Sequence, residues 1–220
     1  MPDTLAMRSA PYFAEAARVA AKYAYDARRT EQLMQEAGLT KDREGFFAYS
    51  GGKRFRPEYL VRASTQFERG QAIMVDSWRQ AGIDVQPAVL PNVTVPEKVR
   101  HTSASMVGRT SNPEDFGLWA TSEIGSDENR WTGQNRVGWS NAEFDRLYDG
   151  YRRTLDRAEM DRLAVQLFKL LNDDLPGYAV YESPALMAHA TGLRGPEFLS
   201  SGPPSGTPMW DLQVWEWVGR

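Results

Sequence analysis

Glu143 and Asp145 come closest to a carboxylate pair on a helical stretch. Residues two apart on a helix face different directions, so they cannot flank one bond as a glycosidase pair must. Asp173 and Asp174 stand just before Pro176, where a helical pattern ends and a solvated turn is the ordinary occupant. The two histidines, His101 and His189, have no spacing that brings them together. There is no cysteine, which removes thiolate nucleophiles, disulfides, iron–sulfur clusters and Cys-based zinc sites together. Ser103, Ser105 and Ser201 lack the Gly-x-Ser-x-Gly elbow that exposes a nucleophile, and Gly202-Pro203-Pro204 is a rigid turn rather than a phosphate cradle. Gly51-Gly52-Lys53-Arg54-Phe55-Arg56 is the one basic cluster with aromatic company, a pattern that suits nucleic acid or a solvated hairpin. Trp119, Trp131 and Trp139 lie in a polar, irregular stretch. That composition suits a site that stacks on a ligand, and equally a loop pinned by buried indoles.

Composition narrows the classes further. The chain has 220 residues, with 26 Lys and Arg against 29 Asp and Glu, and the net charge of −3 argues against a polyanion trap. A 41% hydrophobic and 25% charged composition is ordinary for a folded domain. At roughly 150 residues per domain the length predicts one domain and a fraction. Asp3, Arg8, Glu15 and Arg18 interrupt the first 26 residues, so this segment has no apolar run of the secretion-signal kind. The longest aliphatic stretch, of the Ala72–Val75 kind, falls far short of the ~20 residues that cross a bilayer.

The elements that must position these residues follow from periodicity. Asp26 caps a helix over 27–37, with Leu33, Met34 and Ala37 on one face and Gly38 as its stop. Residues 39–57 read as a loop with one short strand at Gly45–Tyr49, and Tyr59–Val61 as a strand. Phe67, Gly70, Met74, Trp78 and Ala81 share one face of a helix from Thr65 to Gly82, and Ile83 and Val85 alternate as a strand directly after it. Strand, helix, strand in this compass predicts two parallel strands under a covering helix. From Pro91 to Asn141 only Val93–Arg100 offers a short helix, and irregular stretches of this length tend to be functional. Ser140 or Asn141 caps a helix through Tyr151. Met160, Leu163, Ala164, Leu167, Phe168 and Leu171 mark another over 157–172. Tyr178–Tyr181 and Ala185–Ala190 read as strands. Residues 195–208 form a Pro/Gly/Ser linker, and WDLQVWEWV alternates as a terminal strand.

Several fragments in this order resemble one known family. Tyr25-Asp26 followed by ARRTEQLMQEAG resembles the "YD…A..LL.EAG" segment of the family 5 extracellular solute-binding proteins, the oligopeptide, dipeptide and nickel receptors of ABC importers. Gln66–Val85 is similar to the helix and Gly-Ile strand that follow in the family. The run Asn135-Arg136-Val137-Gly138-Trp139-Ser140-Asn141-Ala142-Glu143-Phe144-Asp145 resembles its N-x-x-G-[YW]-S-N-x-x-[FL]-D motif. The helix and Asp-Leu-Pro turn of 161–181, then Gly192-Leu193-Arg194-Gly195, complete the order.

The resemblance implies an α/β fold, the second lobe of a type II periplasmic binding protein with a mixed sheet flanked by helices. Residues 1–195 would form the C-terminal lobe, and 196–220 a linker and strand returning to a first lobe outside this chain. That strand would then lack its native sheet partners. The implied activity is the capture of a small solute, a peptide or something sugar-like, by hinge closure without catalysis, metal or cofactor. The implied partners are the N-terminal lobe and an ABC permease, with no nucleic acid. The implied location is periplasmic or extracellular, with membrane contact only through the permease or an N-terminal anchor. The same lobe also serves as a sensor in regulatory proteins, and an uncharacterised hydrolase is a further alternative. Peptide-binding relatives place an acid four positions before the Pro of D-Y-x-x-P. Here Arg109 stands four positions before Pro113, so the resemblance implies repulsion of a cationic terminus and a hold on carboxylate, phosphate or sugar hydroxyl, unless Arg109 points outward. Arg109, Asn112, Trp119 and Trp139 are the ligand-binding candidates.

Overall fold

The computed structural model describes residues 4–91, 106–109, 111–112, 114–181, 188–195 and 212–218. Within these the elements are α1 (Phe13–Val19), α2 (Ala27–Glu36), β1 (Thr40–Lys41), β2 (Phe47–Ala48), β3 (Glu58–Arg62), α3 (Thr65–Gln80), β4 (Gln86–Leu90), β5 (Met106–Val107), α4 (Ala142–Arg153), α5 (Arg157–Asp174), β6 (Leu193–Arg194) and β7 (Glu216–Trp217), with 3-10 turns at Phe116–Trp119, Thr121–Glu123 and Leu212–Val214. They sort into two compact units. The first comprises Met1–Lys22, Ser111–Phe116 and Ala142–Arg220, and the second Tyr23–Thr110 and Gly117–Asn141.

The second unit is built on a parallel sheet of order β4-β3-β5, with Leu60 opposite Ala88 on one side and Val107 on the other. The predicted strand–helix–strand is present and parallel. The chain must reverse across the sheet to pair β3 with β4 in this sense, and α3 supplies the return. Ser64 caps α3 by accepting from the Phe67 N–H, while Glu68, in the following position, accepts from the Ser64 N–H, so the two side chains satisfy two donors reciprocally. Gln71 on the buried face of α3 donates to the carbonyls of Tyr59 and Ala88, joining helix to both strands. Pro87 donates nothing to a ladder, and β4 is accordingly an edge of this three-stranded order.

One strand begins later than its alternation predicts. Ile83–Val85 forms a tight turn in which the Val85 N–H reaches the Ile83 carbonyl at 2.8 Å, and the strand starts at Gln86. The cause is Asp84, buried to 8% side-chain exposure against Arg54 and Arg56, whose pull outweighs the extended preference of its neighbours. That same contact resolves the basic cluster. Arg54 donates to Asp42 (2.8 Å) and Glu44 (2.9 Å) and lies over the Phe46 ring at 4.7 Å, and Arg56 donates to Asp84 (2.7 Å). The cluster is a hairpin clamp whose charge is used internally. Desolvation alone would raise the Asp42 carboxyl, but the Phe46 N–H, Arg54 and the Glu44 N–H outweigh it and hold it below the usual carboxylate range.

The first unit is helical. Phe144 and Leu147 of α4 and Leu163, Leu167, Phe168 and Leu171 of α5 are buried, as their spacing predicts. Phe116 docks among them edge-on, 4.9 Å from Phe168 and 5.2 Å from Tyr151 between ring centroids. Helix α1 has no counterpart in the sequence reading, although Phe13, Ala16 and Ala20 lie along one helical face. It packs on α5 through Ala16, which is fully buried. Burial, and then Glu114, push the Tyr12 hydroxyl pKa up.

Three expectations change in this unit. Tyr178–Tyr181 forms no strand, and Tyr178, Val180 and Tyr181 stay nearly half exposed because no sheet face among the described residues receives them. Residues 188–190 are likewise not a strand, while 185–187 and the predicted helix at Val93–Arg100 lie outside the described residues. The terminal alternation gives a 3-10 turn at Leu212–Val214 and only two residues of strand, and these do have a sheet partner, Leu193–Arg194, in an antiparallel pair.

Candidate functional site

The carboxyl ends of β3, β4 and β5 all face one way, because the three strands are parallel, and Arg62, Leu90 and Val107 therefore meet at one edge of the sheet. Open α/β sheets bind ligands at this edge, where loops leave the strands and helix N-termini point toward the solute. A cleft of about 290 Å³ opens there. Its apolar lining residues are Leu60, Val61, Leu90, Val107 and Phe67, the last from the first turn of α3. Its polar groups are Arg62, Arg109, Gln134 and Arg136.

The approach of β5 to β3 depends on Gly108. A Cβ at this position would lie 2.7 Å from the Tyr59 hydroxyl and 3.0 Å from Val61 Cγ1, so glycine lets the Gly108 N–H reach the Leu60 carbonyl at 2.8 Å without displacing those side chains. Arg109 follows directly and is thereby carried into the cleft wall. Its Nη1 donates to the Gln134 carbonyl at 2.9 Å, which fixes the far wall to the near one.

The far wall is held by Asn135, 1% exposed. Its Nδ2 donates to the carbonyls of Trp139 (2.8 Å), Trp119 (3.1 Å) and Ala120 (3.2 Å), and its Oδ1 accepts from the Gly138 N–H (3.1 Å). Gly138 has φ +67°, a left-handed turn that L side chains resist. The N-x-x-G part of the motif thus has a physical meaning. Asn135 staples two loop segments together and Gly138 bends the chain back to it, leaving Gln134 and Arg136 on either side of the staple in the cleft lining.

Of the sequence candidates, Arg109 lines the cleft. Trp119 and Trp139 lie beside it in chain and structure, joined through Asn135, but neither ring is part of the lining. Trp119 is half-buried, and its indole Nε1 is buried without a hydrogen-bond partner. Asn112 belongs to the first unit, where its Oδ1 accepts from the Glu114 N–H at 3.0 Å in a local turn. Arg62, Gln134 and Arg136 were not singled out from sequence. The available signal was their position, at the end of a parallel strand and flanking the first Asn of the motif.

Glu123 accepts from the Gln134 N–H (3.1 Å) and Asp127 from the Trp131 indole (2.7 Å), while Asp115 lies in the first unit. His101 lies outside the described residues. No group of three or more His, Asp or Glu gathers among the described residues in a way that would hold a metal. The arrangement offers donors, cationic forks and apolar area.

An α/β chain with a parallel three-stranded sheet, a ligand-sized cleft at its carboxyl edge and a helical companion unit has the architecture of one part of a periplasmic solute-binding protein. Solved structures of that class share this fold. The oligopeptide-binding protein of Thermus thermophilus, complexed with a pentapeptide, matches 79% of the chain at 24% identity with a TM-score of 0.66, using 32% of its own length. The oligopeptide-binding protein AppA of Bacillus subtilis, in complex with a nonapeptide, matches 91% at 19% identity and a TM-score of 0.70, using 39% of its length. A periplasmic oligopeptide-binding protein of an ABC transporter from Thermotoga maritima, bound to mannohexaose, matches 79% at 16% identity and a TM-score of 0.58, using 34% of its length. The chain thus spans about a third of each of these proteins. No protein-family model and no curated protein matches it.

Proposed function

We propose that the chain is one wall of a solute-binding protein of an ABC importer, in the oligopeptide, dipeptide and nickel receptor family, and that it holds a small solute without covalent chemistry. The observation that carries this reading is the composition of the cleft at the sheet edge. Its lining supplies guanidinium and amide donors beside apolar side chains, a combination that holds and orients a solute. The likeness of fold to parts of three solute-binding proteins supports it. On this reading residues 1–195 form the second lobe and 196–220 return to a first lobe that supplies the opposite wall. A permease receives the closed form, and the protein works in the cell envelope. Arg109 would contact the solute directly, and Trp119, Trp139 and Asn112 are proposed as further contacts reached on closure.

One wall alone leaves the solute half solvated, so the isolated chain should bind in the millimolar range, about −4 kcal/mol, with tight binding only when both walls are present. Calorimetry of the chain with peptides and oligosaccharides tests this. Micromolar or tighter binding of any small solute to the chain alone would contradict the one-wall reading. In a two-lobed receptor containing this chain, Arg109→Asp should change which solutes are held. Unchanged selectivity would show that Arg109 faces away from the solute.

A further inference from the structure

We propose that the cleft at the carboxyl edge of the β4-β3-β5 sheet is an oxyanion site, so that the solute presents a carboxylate or phosphate group to Arg62, Arg109 and Arg136. This deepens the reading above and rests on it. The three guanidinium groups come from three separate places, the end of β3, the residues following β5 and the stapled loop at 134–139, and all three line one cleft of about 290 Å³. None of its described lining residues is acidic, and the carboxylate next to Gln134, that of Glu123, is engaged with the Gln134 N–H at 3.1 Å. A guanidinium is charged at every physiological pH and presents a planar fork that matches two oxygens of one anion, which a lysine or an amide does not.

The framework fixes the backbone that carries these three residues, and in Arg109 the side chain as well, before any ligand arrives. Arg109 is tied to the Gln134 carbonyl at 2.9 Å, and Arg136 directly follows Asn135, whose amide is fixed to the carbonyls of Trp119, Ala120 and Trp139. Arg62 ends a strand paired on both sides. Phe67 brings the first turn of the 16-residue α3 to the same cleft, so the positive end of that helix adds to the field. Glu68 in that turn is engaged with the Ser64 N–H and offsets part of it.

The test is a titration of the full chain followed by two-dimensional amide NMR, with citrate, inorganic phosphate, a neutral oligosaccharide (maltohexaose) and an acetylated, amidated tripeptide as probes, all at constant ionic strength. The expected result is millimolar binding of citrate or phosphate that moves the amide signals of Gly108, Arg109, Gln134 and Arg136, with the better of the two identifying the oxyanion. Arg62→Gln changes an exposed side chain and should weaken that binding about tenfold. The same spectra report whether each variant is folded, and Arg136→Lys serves as a second variant that keeps the charge and loses the fork. Anion shifts that are unchanged in both variants overturn the proposal. Shifts at these amides with maltohexaose or the blocked peptide, and none with either anion, overturn the oxyanion assignment and leave the solute-binding reading standing. No shift with any probe overturns both.

Discussion

Replacing Asn135 with Ala removes the group that holds the far wall of the cleft. The side chain makes three donor contacts and one acceptor contact, of 2.8–3.2 Å, to backbone groups of Trp119, Ala120, Gly138 and Trp139, and only 1% of the residue is exposed. Each such bond contributes about 0.5–1.5 kcal/mol net, and a stranded buried carbonyl costs more than its lost bond, so the variant should lose about 2–4 kcal/mol. With a urea slope of about 2 kcal/mol per M, the midpoint of the second unit should fall by roughly 1–2 M. Indole fluorescence reads this transition, because Trp119, Trp131 and Trp139 all lie in the stapled stretch. The near-isosteric Asn135→Asp separates hydrogen bonding from shape. Its carboxylate would face three carbonyl oxygens without a proton to give, so its folded-state pKa must rise above the unfolded value. A group raised in this way favours the fold below the unfolded pKa and loses that contribution as pH rises through the folded one. Asn135→Asp should therefore be closer to the parent protein near pH 4 than at pH 7. A loss below about 1 kcal/mol for Asn135→Ala, or no pH dependence for Asn135→Asp, would refute the staple. In the intact fold Asn135→Ala should also reduce the citrate-induced shifts at Gln134 and Arg136.

Other expectations follow from the same geometry. Gly108→Ala drives a methyl against the Tyr59 hydroxyl and Val61, and Tyr59 cannot easily yield because its ring stands edge-on to Trp78 at 5.3 Å; the variant should lose about 1–3 kcal/mol in urea denaturation. The Asp42 carboxyl is held below its usual range, so the stability it contributes is present above about pH 4 and lost as pH falls through the depressed value. Arg54→Met should flatten this acid limb for the second unit when midpoints are measured against pH. The Tyr12 hydroxyl is pushed up by burial and by Glu114, so the stability it contributes to the first unit is present below about pH 10 and lost as pH rises above that value. Tyr12→Phe should reduce that alkaline loss, read by circular dichroism.

What the sequence alone determined was local and periodic. The apolar spacing of α3, α4 and α5 set those helices, Asp26 capped α2, and Gly38 and Gly82 set the stops of α2 and α3, because each feature acts within one or two turns of chain. The parallel pairing of β3 with β4 followed from a strand, a helix and a strand in close succession. The motif beginning at Asn135 forms the far wall of the cleft, and Arg109, singled out from its place relative to Pro113, lines it. Tertiary structure decided the rest through contacts that no spacing records. Asp84 was pulled out of a strand by Arg54 and Arg56, thirty and twenty-eight residues away in the chain. β7 found β6, while Tyr178–Tyr181 found no sheet face. Arg62, Arg109 and Arg136 are separated by up to 74 residues and share a cleft only because three strands run parallel and one buried amide fixes a loop above their ends. A charge's partners depend on distance through space, and the fold alone sets that distance.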